Sequence, residues 1–320
     1  MVFPRQWNRI ATFDGVEVLY ELIIIGAGPA GITAAIYAAR KKMNALVISK
    51  DIGGQVAISS AIENYVGFQF ITGEELTKKF EDHIKEFAIE LKEGEEVLKV
   101  EKTDGSFRVK TDVGLYDAKT VIVASGRKPR HLNVPGETQF LGRGLSYCAT
   151  CDAPFFAGRD VAVIGGGNAG FEAVLQLTKI ASKVYLIELL PKLRGDPIML
   201  EKIEKSGNAT IMANTRTVEI YGEKVVSGVK VVKEGREGDL KVQGVFIEIG
   251  SIPSSEFMDF VEKNEVGEIV VNERCETSVP GLFAAGDVTC VPEKQIIIAA
   301  GEGAKAALAA FNYLSREAPS

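Results

Sequence analysis

Two glycine-rich loops constrain the fold of this chain more than any other feature. The first is Gly26-Ala27-Gly28-Pro29-Ala30-Gly31, and the second is Gly165-Gly166-Gly167-Asn168-Ala169-Gly170. Each loop follows a short apolar run and precedes a stretch suited to a helix, which is the order of a dinucleotide fingerprint. The first glycine allows a tight turn, the second allows a pyrophosphate to approach the backbone, and the third allows the helix to pack closely on the strand. The loops therefore predict two dinucleotide-binding units.

The segments around the two loops repeat one β-α-β plan, because short apolar runs with these flanks are typical of buried parallel strands. We predict strands at 22–25, 45–48, 120–124, 161–164, 184–187 and 244–250, helices at 32–40, 171–179 and 296–313, and a crossover at 251–253.

The order of these elements predicts an α/β protein with two Rossmann-like domains, one inserted into the other. The outer domain is expected at residues 1–128 and 251–320, with residues 1–20 as an N-terminal extension. The inner domain is expected at residues 129–250.

Composition limits the classes of partner and compartment. The 320 residues are 46% hydrophobic and 25% charged, as in soluble globular proteins, and the net charge of −6 argues against nucleic acid or an anionic membrane as the main partner. The apolar run at 22–39 is interrupted by glycines and a proline, which favours a buried strand and helix over a membrane span. The first 20 residues have scattered charges and no apolar centre, so a signal peptide is not expected. Four cysteines in a chain of this length favour a reducing cytoplasm.

An acidic residue follows the second strand of the inner unit. Glu188 stands about 20 residues after the second loop, where a carboxylate can accept a hydrogen bond from a ribose 2′-hydroxyl and would repel a 2′-phosphate. This position favours NADH over NADPH, although a solvated glutamate at a strand end is the alternative. In the first unit, the position about 20 residues after the loop that usually carries the acidic ribose ligand has Ser49-Lys50-Asp51 instead.

A vicinal cysteine pair, Cys148-Ala149-Thr150-Cys151, precedes the second loop. A zinc site needs about four ligands, and the other candidates are only Cys275, Cys290 and two histidines without paired spacing. Two inert buried cysteines are a second alternative. We favour a redox dithiol, because cysteines at this spacing can close a small disulfide ring.

The residue after the pair, Asp152, is either a turn or cap residue or the proton donor that a leaving thiolate needs. Cys275 and Cys290 are expected to be small buried hydrophobic residues without a chemical role.

Together these residues resemble the low-molecular-weight thioredoxin reductases, which are FAD-dependent pyridine nucleotide–disulfide oxidoreductases. The resemblance runs from about residue 22 to residue 314. It rests on both glycine-rich loops and on Gly53-Gly54-Gln55, Glu63-Asn64, Ala124-Ser125-Gly126, Cys148–Asp152 and Gly286-Asp287 with Gln295. The cysteine pair lies in the inner domain, whereas the glutathione reductase branch carries its pair just after the first loop.

The resemblance implies that the outer domain binds FAD and the inner domain binds a nicotinamide nucleotide. The FAD residues would be Gly26, Gly28, Pro29, Ala30, Gly31, Gly53, Gly54, Gln55, Asn64, Ala124, Gly126, Gly286, Asp287, Lys294, Gln295 and Ile296. The nucleotide residues would be Gly165, Gly167, Asn168, Ala169, Gly170 and Glu188. Cys151 would be the sulfur near the flavin, Cys148 the sulfur that attacks the partner's disulfide, and Asp152 the acid.

Two departures from the family pattern refine these expectations. NADPH-specific members carry a His-Arg-Arg run and a further Arg four residues later. This chain has Glu188-Leu189-Leu190 in place of the run and keeps only the last arginine, Arg194. The segment 294–303 resembles the NADH-using flavoprotein component of alkyl hydroperoxide reductase, whose N-terminal thioredoxin-like module this chain is too short to contain.

We therefore predict a homodimeric, cytoplasmic disulfide reductase that passes electrons to a separate thioredoxin-like or glutaredoxin-like protein. The alternatives are an NAD(P)H oxidase, a reductase of a peroxiredoxin system, and a non-catalytic nucleotide-binding regulator stabilised by zinc.

Overall fold

The computed structural model describes residues 19–59 and 62–317. Residues 1–18 of the expected N-terminal extension lie outside the described part. Leu19 and Tyr20, the last two residues of the expected extension, belong to the first strand. Tyr20 is buried and lies opposite Ala118 of a neighbouring strand, which extends the sheet beyond the apolar run that the sequence showed.

The strands of the described residues are, in chain order, β1 (Leu19–Ala27), β2 (Ala45–Ile52), β3 (Glu90–Glu93), β4 (Val97–Thr103), β5 (Ser106–Thr111), β6 (Leu115–Val123), β7 (Arg127–Pro129), β8 (Leu145–Ser146), β9 (Asp160–Ile164), β10 (Lys183–Ile187), β11 (Ala209–Met212), β12 (Thr215–Gly222), β13 (Val226–Lys233), β14 (Arg236–Leu240), β15 (Gly244–Ile247), β16 (Ser251–Pro253) and β17 (Leu282–Ala284). The α-helices are α1 (Pro29–Arg40), α2 (Gly73–Lys85), α3 (Glu137–Phe140), α4 (Ala149–Asp152), α5 (Asn168–Leu177), α6 (Pro197–Lys205) and α7 (Ile296–Glu317), and short 3-10 helices lie at Gly54–Ile58 and Ala153–Phe156.

The chain divides into two compact units. The first comprises Met1–Ala57, Gly73–Arg127 and Pro253–Ser320, and the second comprises Ile58–Thr72 and Lys128–Ile252. One segment differs from the domain expectation, because Ile58–Thr72 was assigned to the outer domain and groups with the second unit. The chain passes between the units at β7 and β16, which pair with each other. Residues 251–253, expected as a crossover, therefore form a short strand.

The first unit is built on a sheet ordered β3-β2-β1-β6-β5-β4, with β17 also paired to β6. Strands β3, β2, β1 and β6 pair in parallel, whereas β5 pairs antiparallel with both β6 and β4. Alternate residues of β1 enter two different cores, since Leu22 packs with residues of α1 and α7 and Ile23 packs on the other face of the sheet. Burial on both faces explains why the run at 22–25 is continuously apolar.

The second unit contains an all-parallel sheet ordered β11-β10-β9-β15-β8 and an antiparallel sheet ordered β12-β13-β14. Helix α5 covers one face of the parallel sheet, where Phe171 and Val174 are fully buried. Strand β15 ends at Ile247 rather than at Gly250 as predicted, and Gly250 has a φ of +91°, outside the extended range of regular strands. The carboxyl end of β15 lies beside β9, which leads into the second glycine-rich loop.

Candidate active site

The first loop turns sharply from β1 into α1. Gly26 has a φ of +105°, and a Cβ added to Gly31 would lie 1.8 Å from the Gly26 carbonyl oxygen. The helix therefore approaches the strand closely only with glycine at both positions. Pro29 begins α1, where its lack of an N–H costs nothing. Gly28 occupies the N-cap position, and no side chain of the described residues caps the first turn.

A second glycine pair faces this open helix end. The Gly53 N–H donates to the Ala27 carbonyl at 2.8 Å, and a Cβ added to Gly54 would lie 3.6 Å from the Gly28 Cα atom. Within the described residues, the buried Thr77 hydroxyl beside Gly53 has no hydrogen-bond partner. A backbone cradle with an uncapped helix end and an unsatisfied hydroxyl fits the pyrophosphate of a dinucleotide.

The Gly286-Asp287 pair lies against the start of α1. A Cβ added to Gly286 would lie 3.0 Å from the Ala30 Cβ atom, and the Gly286 N–H donates to the Glu302 carboxylate at 2.7 Å. Burial raises the pKa of Asp287, while Lys294 and Arg127 oppose this rise. Burial also raises the pKa of Glu302. No sequence pattern pointed to Glu302, because only the packing of α7 on α1 brings it to this loop.

The remaining predicted FAD residues of the first unit surround the same region. A Cβ added to Gly26 would lie 2.4 Å from the Ala124 carbonyl oxygen. The Gln55 side-chain amide donates to the Arg127 carbonyl oxygen. Glu268 forms ion pairs with both Lys294, at 3.2 Å, and Arg127. Gly126, Gln295 and Ile296 lie next to these residues in the chain, and Ile296 begins α7.

Asn64 is placed differently from the other predicted FAD residues. It is exposed on the loop between Ile62 and Ile71, which form an isolated antiparallel bridge. This loop belongs to the segment that groups with the second unit.

The second loop repeats the geometry of the first. Gly165 has a φ of +127°, a Cβ on Gly170 would lie 1.8 Å from the Gly165 carbonyl oxygen, and Gly167 occupies the N-cap of α5 without a side-chain cap. Apart from Gly167 and its two chain neighbours, no described residue has an atom within 4 Å of a Cβ built on Gly167. The Asn168 side chain accepts from the Asp196 N–H at 2.8 Å. Ala169 follows in the exposed first turn of α5.

Glu188 lies directly beneath the second loop. Its two carboxylate oxygens accept from the N–H groups of Gly166 at 2.6 Å and Leu190 at 2.8 Å, and the residue is buried. The carboxylate is thus fixed at the end of β10, with lone pairs left for a further donor.

The vicinal cysteines are joined by a disulfide, with their Cα atoms 5.3 Å apart. Cys148 is half-buried and caps α4, because its sulfur accepts from the Cys151 N–H at 3.2 Å. Cys151 is exposed. The buried Ser146 hydroxyl accepts from the Cys148 N–H at 2.9 Å and so fixes the approach to the pair.

Two carboxyl groups flank this disulfide. Burial raises the pKa of Asp152, although a hydrogen bond from Ser146 opposes the rise. Glu248, which follows β15, accepts from the Ala149 N–H at 3.1 Å. Burial raises the pKa of Glu248 to about 7, and the charge of Glu172 adds to the rise. No sequence pattern pointed to Glu248, because 99 positions separate it from Ala149.

The other two cysteines line one open pocket of about 550 Å³ in the first unit, together with Glu302 and Lys305. Burial raises the pKa of Cys275 to about 11, so its thiol stays protonated at neutral pH. Within residues 19–59 and 62–317, no group of three His, Cys, Asp or Glu side chains is arranged to hold a metal ion. In the same part of the chain, no helix combines the length and apolarity needed to cross a bilayer.

Comparison with protein families decides the relationship of the chain. The family described as pyridine nucleotide-disulphide oxidoreductase matches residues 20–307. The chain belongs to this family. Membership confirms the resemblance seen in the sequence and implies FAD and a pyridine nucleotide as cofactors.

Two curated relatives are similar over nearly all of the chain. An NADH dehydrogenase of Bacillus subtilis is 42% identical over 301 residues, and the F subunit of an alkyl hydroperoxide reductase of Staphylococcus aureus is 41% identical over 301 residues. Each comparison covers 93% of this chain but only 59% of the relative's length.

Solved structures of thioredoxin reductases share the fold. The enzyme from Streptococcus pyogenes has a TM-score of 0.90 at 36% identity, covering 94% of this chain and 100% of that chain. The enzyme from Giardia duodenalis has a TM-score of 0.87 at 31% identity, covering 92% and 99%. The thioredoxin reductase of T. acidophilum has a TM-score of 0.63 at 40% identity, covering 93% and 99%. The predicted fold class, α/β with two Rossmann-like domains, is confirmed.

Proposed function

We propose that the protein is a flavoprotein disulfide reductase that uses NADH, FAD and the Cys148–Cys151 disulfide to reduce a thioredoxin-like protein. The observation that carries the proposal is the disulfide itself, which lies in the same compact unit as the second glycine-rich loop. The family and the thioredoxin reductase structures support it. We retain cytoplasmic location and a homodimer as predictions.

FAD is assigned to the first unit. The cradle of Gly28, Gly53 and Gly54 and the uncapped end of α1 offer backbone N–H groups to the pyrophosphate. Asp287, held beside α1 through Gly286, would bind the ribityl and phosphate region. When bound, the flavin takes a hydride from the nicotinamide and delivers an electron pair to the disulfide.

The second unit supplies the thiol chemistry. Two electrons break the Cys148–Cys151 bond and leave two sulfur anions, of which one takes a proton from Asp152. The remaining Cys148 thiolate attacks the partner's disulfide, forming a mixed disulfide and expelling one partner thiolate. The Cys151 thiol then gives its proton to the expelled partner thiolate and attacks the Cys148 sulfur, which restores the internal disulfide. The second partner thiolate takes a proton from solvent, so the partner leaves as a dithiol.

Serine variants of the two cysteines test this route. In Cys148→Ser and in Cys151→Ser, NADH should still bleach the flavin absorbance in a stopped-flow experiment. Both variants should fail to reduce a thioredoxin-like protein, because serine cannot form the disulfide. The matched control is Cys290→Ser, which should keep the wild-type rate. Reduction of the partner at the wild-type rate by either active-site variant would refute the route.

The choice of NADH rests on Glu188. A 2′-phosphate beside the fixed Glu188 carboxylate would meet like charge, and the family's paired arginines are replaced by Leu189 and Leu190. Losing a charge-assisted contact costs roughly 1.5–3 kcal/mol, which corresponds to about a 10- to 150-fold loss in affinity. We therefore expect kcat/KM to favour NADH, with Arg194 moderating the preference.

A single substitution tests the nucleotide assignment. Glu188→Arg should shift the ratio of kcat/KM toward NADPH, whereas Glu172→Gln on α5 should leave the ratio unchanged. A wild-type enzyme that uses NADPH tenfold better than NADH would contradict the assignment.

A second function is favoured by one comparison. The 41% identity to the F subunit of alkyl hydroperoxide reductase favours an acceptor that belongs to a peroxiredoxin system. An NADH oxidase is the other candidate. The variant Cys148→Ser distinguishes an oxidase from both kinds of reductase. An oxidase would consume oxygen at the wild-type rate in this variant, whereas a reductase would no longer reduce its protein disulfide substrate.

A further inference from the structure

Glu248 joins two parts of the second unit that the proposed reaction uses. Its side chain accepts from the N–H of Ala149 at 3.1 Å, and Ala149 is the first residue of α4, which Cys148 caps and which contains Cys151. A Cβ added to Gly165 would lie only 2.3 Å from the backbone carbonyl oxygen of Glu248. Glu248 thus contacts α4 through its carboxyl group and the second glycine-rich loop through its backbone.

The charge of Glu248 acts at the end of α4 where Cys148 lies. A cysteine at a helix N-terminus normally has a lowered thiol pKa, because free N–H groups stabilise the thiolate. Here a carboxyl group takes one of those N–H groups and places negative charge beside it. The like charge disfavours a thiolate at Cys148.

The neighbouring ionisable groups do not cancel this effect. Glu172 of α5 adds negative charge toward Glu248, and Asp152 at the far end of α4 is itself partly buried. Burial and Glu172 raise the pKa of Glu248 to about 7, so its charge develops as the pH rises through neutrality.

We propose that Glu248 is a positioning residue of the Cys148–Cys151 pair, whose carboxylate fixes the first turn of α4 and makes the dithiol a stronger reductant. A thiolate that is less stabilised weakens the reduced form relative to the disulfide, and the dithiol then gives up its electrons more readily. This role deepens the proposed function and rests on it, because only a reductase benefits from a more reducing pair.

The pKa of the Cys148 thiol tests the proposal without any turnover. In a background of Cys151→Ser, Cys275→Ser and Cys290→Ser, Cys148 is the only thiol, and its reaction with iodoacetamide is followed from pH 5 to pH 10. Glu248→Gln keeps a hydrogen-bond acceptor but removes the charge. We expect it to lower the Cys148 thiol pKa and to raise the alkylation rate at pH 7 by about 3- to 10-fold.

The intact pair gives an independent readout. Equilibration of the four-cysteine protein with glutathione at pH 8.5 should show the Glu248→Gln dithiol to be about 3- to 10-fold harder to oxidise, where a tenfold change equals about 30 mV. The matched control is Glu237→Gln on the exposed strand β14, which should change neither measurement. Circular dichroism confirms that each variant is folded.

Three outcomes would overturn the proposal. One is an alkylation profile of Glu248→Gln that matches the unsubstituted background. Another is a thiol pKa that rises. The third is a change in the Cys148 alkylation rate in Glu248→Ala but not in Glu248→Gln, which would show that Glu248 acts through its hydrogen bond and not through its charge. Failure of the protein to reduce any thioredoxin-like partner would refute the proposed function instead and would leave the alkylation result standing.

Discussion

Asp152 shows how one carboxyl group acquires a function from its surroundings. Its burial disfavours the charged form and raises its pKa, whereas the nearby Ser146 stabilises the carboxylate and limits the rise. The result is a carboxyl group that holds its proton to a higher pH than a surface aspartate. It stands one position after Cys151, where a thiolate is released.

The substitution Asp152→Asn tests this donor. Asparagine cannot supply the proton that the internal pair takes up, so NADH-driven reduction of the partner should slow by about 100-fold or more, while the flavin spectrum is unchanged. The wild-type rate should fall as the pH rises through the raised pKa of Asp152, and the variant should lack this descending limb. Stopped-flow kinetics from pH 5 to pH 9 measure both. Asp104→Asn, in the exposed turn between β4 and β5, is the control, and an equal loss there would show that Asp152 has no special role.

At the scale of elements, the packing of α7 on α1 depends on a small residue. A Cβ on Gly303 would lie 2.0 Å from the Ala30 carbonyl oxygen, so the two helices touch at that point. Two residues earlier in α7, Gly301 is exposed, and apart from its chain neighbours and the surrounding backbone of α7 no described residue lies within 4 Å of its built Cβ.

These two glycines form a matched pair for measurement. Gly303→Ala should destabilise the first unit and weaken FAD binding, because α7 must move away from α1. Gly301→Ala should stabilise it by about 0.5–1 kcal/mol, since alanine is the better helix residue. Chemical denaturation followed by circular dichroism gives both values. Equal effects of the two substitutions would show that the contact at Ala30 is not what holds the helices together.

The sequence predicted those elements whose cause is local. Glycine spacing located both strand–turn–helix units, although α1 begins at Pro29 and α5 at Asn168, three residues before the predicted starts. The glycines themselves belong to the first turns, which an apolar pattern cannot reveal. Residues that act through distant contacts escaped prediction, because Glu248 and Glu302 reach their partners only after strands and helices far apart in the chain pack together.

At the scale of the whole molecule, two compact units imply two separable responses to ligands. A ligand that binds only the native state stabilises by about 2.7 kcal/mol at a concentration 100 times its dissociation constant. We expect FAD to raise the midpoint of one calorimetric transition and NAD⁺ to raise the midpoint of another. Gly28→Val should abolish the response to FAD and leave the response to NAD⁺ intact. A single transition that both ligands shift would show that the units unfold together.

The order in which the chain is made has a consequence for the first unit. Helix α1 ends at Arg40, and the helix that packs on it begins at Ile296. At 5–20 residues per second, a ribosome needs on the order of 10–50 s to synthesise the chain between them. During this interval the second unit can complete its sheet, while the apolar side of α1 has no α7 to cover it. The nascent chain therefore exposes the apolar side of α1 for most of its synthesis. We expect a chaperone that recognises apolar segments to bind there.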